Sequence, residues 1–204
     1  MRYTGAMKAQ SFIFIGRSGC GKGTQAKLLV DYLKTLDSSL KTLYIQTGQE
    51  FRDFIKGDSH TQKLSNQLYL ADKLQPEFLS VYMWIRILIG NYDGKGHLIF
   101  DGTPRRKHEA GVLGSIINFY NLPKPFVILL DVSENWSREK LLARHRMDDK
   151  EEDIEKRLAW FMTDVVPAIE FYKNSDDYHF IQLNGEQSIE SVYRDLIERI
   201  KSLI

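Results

Sequence analysis

The sequence predicts an α/β fold, a five-stranded parallel sheet covered by helices on both faces. Three observations lead there. Short apolar runs alternate with longer stretches of helical periodicity. Each apolar run stops at a glycine or a polar residue. The sharpest motifs follow directly after these runs, at the strand ends where open parallel sheets bind ligands.

Taken in order, Ser11–Ile15 (SFIFI) is a compact apolar run ending at Gly16 and reads as a buried strand. Gly23–Leu36 follows as a helix, with Ala26, Leu29, Val30 and Leu33 at helical spacing. Leu43–Ile45, Leu98–Phe100 and Phe126–Leu130 give the next strands, the last two ending at Asp101 and Asp131. Phe180–Leu183 is the fifth, stopped by Asn184-Gly185. Glu109–Tyr120, Glu134–Arg144, Glu151–Lys173 and Ser188–Ile204 read as helices. The last of them carries Ile189, Val192, Leu196, Ile197 and Ile200 on one stripe. The polar, helical segment from Gln49 to about Gln75 looks like an insertion rather than core. Tyr82, Trp84, Trp136, Trp160, Phe161 and Tyr172 fall at helical positions and are expected to be core.

The chain has 204 residues, which suits a single domain made of a core (1–46 and 77–204) and an insertion (about 47–76). A formal net charge of +1 argues against a uniformly basic nucleic-acid binder. Cys20 is the one cysteine, so no intrachain disulfide and no cysteine-based zinc site can form; a reducing, cytoplasmic setting is expected. Met1–Gln10 lacks the apolar run of a signal peptide. Val81–Gly90, interrupted by Arg86, and Phe126–Val132 are too short to span a bilayer, so no membrane partner is expected. The histidines at 60, 97, 108, 145 and 179 show no metal-ligand spacing. His108 and His145 lie beside the proposed sites, as phosphate contacts or as ordinary surface residues.

The segment Gly16-Arg17-Ser18-Gly19-Cys20-Gly21-Lys22-Gly23-Thr24 follows a strand and opens a helix. Glycines let the backbone wrap phosphates closely, and the helix N-terminus supplies positive potential. Lys22 is placed to reach the β- and γ-phosphates. The general phosphate-loop motif has Ser or Thr directly after this lysine; here Gly23 intervenes before Thr24. GKGT is the variant seen in nucleoside monophosphate kinases.

From this point the chain resembles an adenylate kinase nearly end to end. Thr47-Gly48 with Arg52 resembles that family's TG…R motif, and Asp101-Gly102-Thr103-Pro104-Arg105 its DGFPR motif. Arg146-Met147-Asp148-Asp149, with Glu151, Glu152 and Arg157-Leu158, resembles R-x-D-D-x-E-E…R-L. Val166-Pro167 to Phe171-Tyr172 and Asn184-Gly185 complete the series. The resemblance implies a three-layer P-loop NTPase fold with a small helical monophosphate-binding insertion. It implies reversible, magnesium-dependent transfer from ATP to AMP, giving two ADP. Gly19, Cys20, Gly21, Lys22, Gly23, Thr24, Lys140 and Arg144 are expected to hold ATP. Thr47, Arg52, Lys73, Gln75, Gly102, Arg105 and Glu109 are expected to hold AMP. Lys22, Arg105, Arg144, Arg146 and Arg157 are expected to surround the transferring group, because planar guanidinium forks suit phosphate oxygens. Asp101, at a strand end beside the phosphate loop, is the expected anchor of Mg²⁺, through water. Asp148 is expected near the arginines and Asp149 as a helix cap.

Several positions depart from the family pattern. Only His145 separates Arg144 from Arg146, so the lid is vestigial (about 144–147), with no cysteine quartet for zinc. Exclusion of water then falls to another surface, such as a neighbouring subunit, and the chain is expected to be a monomer or small homo-oligomer. Glu109 stands where adenylate kinases usually have glutamine. Two acceptor oxygens would suit guanine, while Thr47 resembles the adenine-specific pattern. AMP is the expected acceptor, with GMP, CMP or UMP as the alternative. Lys140 replaces a stacking arginine, which leaves the choice between ATP and GTP looser. Gln49 replaces an aspartate of the magnesium-water network, and Thr103 a phenylalanine. A catalytically silent nucleotide-binding protein is the remaining alternative. Cys20 reads as a space-filling residue or as an oxidation-sensitive thiol.

Overall fold

The computed structural model describes residues 8–71, 73–144 and 151–203. The strands are β1 (Ser11–Gly16), β2 (Thr42–Gln46), β3 (His97–Asp101), β4 (Phe126–Asp131) and β5 (His179–Asn184). They form one parallel sheet in the order β2-β3-β1-β4-β5. The helices are α1 (Lys22–Leu36), α2 (Thr47–Phe54), α3 (His60–Leu70), α4 (Glu77–Asn91) and α5 (Lys107–Phe119), followed by α6 (Glu134–Arg144), α7 (Glu151–Trp160), α8 (Val166–Lys173) and α9 (Ile189–Lys201).

Alternation along β1 sends its side chains into two different apolar layers. Phe12 and Phe14 pack with Ala26, Leu29 and Leu33 of α1 and Val192, Leu196 and Ile200 of α9. Ile13 and Ile15 pack with Trp84 and Leu88 of α4, Leu113 of α5 and Tyr172 of α8. Phe12, Ile13 and Phe14 are all 0% exposed. Each such side chain contributes about 1.5–3 kcal/mol of burial, against about 0–1 for an exposed ion pair. The sheet centre, not surface charge, therefore fixes the strand ends that carry the motifs.

The helix expected over Glu151–Lys173 contains a π-helical turn, Phe161–Val165, between α7 and α8. Pro167 has no N–H to donate at that point, so the backbone widens before it. The polar, helical insertion consists of two helices, α2 and α3. Gly57-Asp58 breaks it, and Ser59 restarts it with a capping box to Gln62. Tyr82, expected in the core, is 52% exposed, whereas Trp84 and Tyr172 are fully buried. Among the described residues no helix is long and apolar enough to cross a membrane.

Candidate functional site

The C-terminal ends of β1, β2 and β3 open onto two adjoining clefts. The larger, about 510 Å³, is floored by Ser18–Thr24 and by Asp101, with Trp136 and Lys140 of α6 on one side. Gly185, Gln187, Ile189 and Val192 line it as well. The smaller, about 180 Å³, is lined by Thr47, Gly48 and Arg52 of α2, by Lys73 and Gln75, and by Glu109, Arg157 and Trp160. Ser18, Gly48, Arg52, Gly102 and Arg105 line both. A group in one cleft therefore meets a group in the other between Arg52 and Arg105.

The phosphate loop follows from local backbone rules. Gly21, at φ 94°, takes the left-handed N-cap position of α1, which side chains resist. The Lys22 Nζ atom donates to the carbonyls of Gly16 (2.8 Å) and Arg17 (2.7 Å) and lies 3.4 Å from Cys20 Sγ. Cys20 is 4% exposed. Its side chain is enclosed beside Lys22, which accords with space filling.

Asp101 ends β3 and is 6% exposed. Its Oδ2 accepts from Tyr44 Oη (2.6 Å) and Gln46 Nε2 (3.2 Å), which point across from β2. Burial, reinforced by the Asp101 carboxylate, raises the Tyr44 phenol well above its ordinary range. This cluster explains Gly23. A Cβ there would stand 3.1 Å from Asp101 Oδ2. The space that a Ser or Thr side chain takes in the general motif is filled here by the carboxylate and its donors.

Thr47 is 3% exposed and its hydroxyl donates to the Gly102 carbonyl at 3.3 Å, tying the β2 and β3 ends together. Arg52 is steered by Gln49, whose Oε1 accepts from Nε (3.2 Å) and Nη2 (2.8 Å). Arg105 donates from Nε to the Gly102 carbonyl at 2.9 Å and lies 5.4 Å from the centre of the Trp160 ring. Burial draws the Arg105 guanidinium below its usual range, against the pull of Glu109 and Asp101. Glu109 is 1% exposed and its Oε2 accepts from the Arg105 backbone N–H at 2.8 Å. Arg106 reaches its other oxygen at 3.9 Å. Gln75 lines the smaller cleft, but its amide is committed to Ser65, at 2.8 and 2.9 Å.

Thus Gly19–Thr24, Lys140 and Asp101 gather on the larger cleft, and Thr47, Lys73, Gln75, Glu109 and Arg157 on the smaller. Arg144 closes α6, and its side chain lies outside the described residues, as do Arg146, His145 and the Asp148-Asp149 pair. Tyr44, Gln46 and Arg106 also belong to the site, without a motif to mark them in the sequence, and Ser18 of the phosphate loop lines both clefts. For Tyr44 and Gln46 the available signal was their spacing of two on one strand face, which has meaning only once β2 is known to flank β3. Trp136, expected in the core, is instead half-buried and walls the larger cleft.

A family model of adenylate kinases matches residues 14–177. The chain belongs to the adenylate kinase family. Adenylate kinase 1 of Nostoc sp. is 31% identical over 184 residues, spanning 90% of this chain and 95% of that protein. The adenylate kinase of Corynebacterium urealyticum is 30% identical over 180 residues, covering 88% of this chain and 93% of the relative. That of Bacteroides fragilis (strain YCH46) is 29% identical over 197 residues, covering 95% and 99%.

Adenylate kinases use magnesium with ATP. Among the described residues, no three His, Cys, Asp or Glu side chains gather as a metal nest. One buried carboxylate beside a phosphate loop nevertheless fits an ion held chiefly by phosphate oxygens and water. Tyr44 and Gln46 both engage Oδ2, and Oδ1 has neither of them as a donor.

Proposed function

We propose that the larger cleft binds ATP, the smaller binds AMP, and the protein passes the γ-phosphoryl group between them reversibly, giving two ADP. The observation that carries this reading is the shared wall. Ser18, Gly48, Arg52, Gly102 and Arg105 face both clefts at once, in a chain of the adenylate kinase family. Phosphoryl transfer asks the protein to hold two anions in line and spread their charge, and no covalent intermediate is needed.

Each residue then has a task. Lys22 leaves the carbonyls of Gly16 and Arg17 for the β- and γ-phosphates. Arg52, oriented by Gln49, and Arg105, oriented by Gly102 and Trp160, grip the acceptor phosphate. Arg157, with Arg144 and Arg146 by family resemblance, offsets the charge of the transferring group. Asp101 would hold a magnesium ion through water, and the ion would supply positive charge to offset that of the phosphates. Glu109, whose acceptor oxygens had favoured guanine, is committed to Arg105 and Arg106, which supports AMP instead. A cytoplasmic place of work and free nucleotides as partners belong to the same reading.

The test is ADP formation from ATP and magnesium with each of AMP, GMP, CMP and UMP, run beside Lys22→Ala. Turnover is expected with AMP and is expected to fall by at least two orders of magnitude in the variant. Turnover with another monophosphate only would move the acceptor. None with any would leave a nucleotide-binding protein.

A further inference from the structure

We propose that Trp136 is the stacking surface for the base of the triphosphate, with Lys140 as its movable cover. The inference rests on the larger cleft being the donor site. Three observations carry it.

First, the Trp136 ring is half-buried: it packs on the layer built from Phe14, Leu183 and Val192, and also lines the larger cleft. It stands beyond the phosphate loop, on the same cleft as Gly185, Gln187 and Ile189. A flat aromatic face and a glycine-containing loop on one cleft make a surface of the kind a purine binds.

Second, the ring is fixed relative to the phosphates. The next residue, Ser137, donates its hydroxyl to the Ser18 carbonyl of the phosphate loop. Gly19 lies so close to α6 that a Cβ on it would stand 3.0 Å from the Ser137 carbonyl oxygen and 3.1 Å from Leu141. The helix that carries Trp136 is therefore locked to the loop that would carry the triphosphate. A base held on the ring and phosphates held on the loop are set by one rigid unit.

Third, the Nζ atom of Lys140, one turn further along α6, lies 4.6 Å from the centre of the Trp136 ring. A lysine ammonium over an indole is held by the ring's quadrupole, a modest attraction at an exposed position. Lys140 is exposed and its four-carbon stem is free to swing. A base brings a large flat surface to the same face, and the triphosphate offers the ammonium a better partner in its phosphate oxygens. Exchange of one for the other uncovers the ring without moving the backbone.

The experiment separates this assignment from the reaction itself. ATP is titrated into the magnesium-free protein while tryptophan fluorescence is followed, in the natural chain and in Trp136→Phe. A change that saturates in the first and is lost in the second is expected. A change of equal size in both overturns the proposal. In steady state, Trp136→Ala is expected to raise KM for ATP about tenfold and leave KM for AMP within twofold, while Trp136→Phe restores most of the loss. An unchanged KM for ATP in a folded Trp136→Ala protein overturns the proposal as well. If Trp136→Ala does not fold, the fluorescence comparison with Trp136→Phe decides alone. A protein that shows the ATP-dependent signal from Trp136 and forms no ADP keeps this assignment and loses the kinase reading; one that forms ADP with no signal from Trp136 does the reverse.

Discussion

At the scale of single residues, the site is defined by who holds whom. Asp101 is shared by two donors from β2, and Gly23 is small because that cluster needs the room. Gly23→Ser is expected to cost about 1–3 kcal/mol in urea unfolding, through crowding against Asp101 Oδ2. The penalty should shrink in an Asp101→Ala background, and equal penalties in both backgrounds would point to a cause other than this contact. Much of this was legible from the chain alone. Lys22, Arg105 and Asp101 announce themselves because each stands directly after an apolar run or in a fixed motif. Tyr44 and Gln46 do not, since a tyrosine and a glutamine at alternate positions of a strand look like ordinary surface until the neighbouring strand is known. Glu109 could be seen as unusual, but not as an anchor. Its partner is a backbone N–H, and backbone donors leave no mark in a sequence.

At the scale of elements, the strand starts carry one buried and one half-buried imidazole that set a limit on acid stability. His97 opens β3, is 0% exposed, and its Nδ1 accepts from the Gln10 N–H at 3.1 Å. Burial lowers it from its ordinary value of 6.5, against a weaker pull from Asp37. The folded protein therefore binds this proton less readily than the unfolded chain. Stability is full above the unfolded value and is lost as pH falls from about 6.5 through the folded value. His179, which opens β5, is lowered in the same sense by burial and by Lys124. Urea midpoints measured at pH 7.5 and pH 5.5 should drop on acidification, and His97→Asn should reduce that drop. Apolar runs located every strand, yet stopped one residue short at most ends, because backbone pairing continues into polar residues such as Asp101, Asp131 and Asn184. In the sequence, α4 stands out only as an apolar stretch. It is apolar nearly all round, from exposed Phe78 and Ile89 to buried Met83 and Trp84, so no stripe marks it.

At the scale of the molecule, the acceptor side is stitched together by Arg106. Its Nε donates to Asp164 in the π-helical turn (2.9 Å) and its Nη1 to the Gln75 carbonyl (3.0 Å), and it faces Glu109 on α5. Three segments far apart in sequence thus meet at one guanidinium, next to the motif arginine Arg105. Arg106→Ala is expected to raise KM for AMP roughly 5- to 20-fold, by loosening Glu109 and the segment around Gln75, and to leave KM for ATP within twofold. Equal effects on both substrates would place Arg106 outside the acceptor side. The sheet order has a consequence of a different kind, for how the chain is born. The strand β1 is translated first, but Phe12 pairs with Ile99 on one side and Phe126 on the other. On the ribosome, Ser11–Gly16 must wait as an apolar ribbon with both edges bare until β3, and then β4, have left the exit tunnel. A nascent chain that stalls before β4 is complete would be prey for holdase chaperones, whereas one that has released β4 can close its own centre.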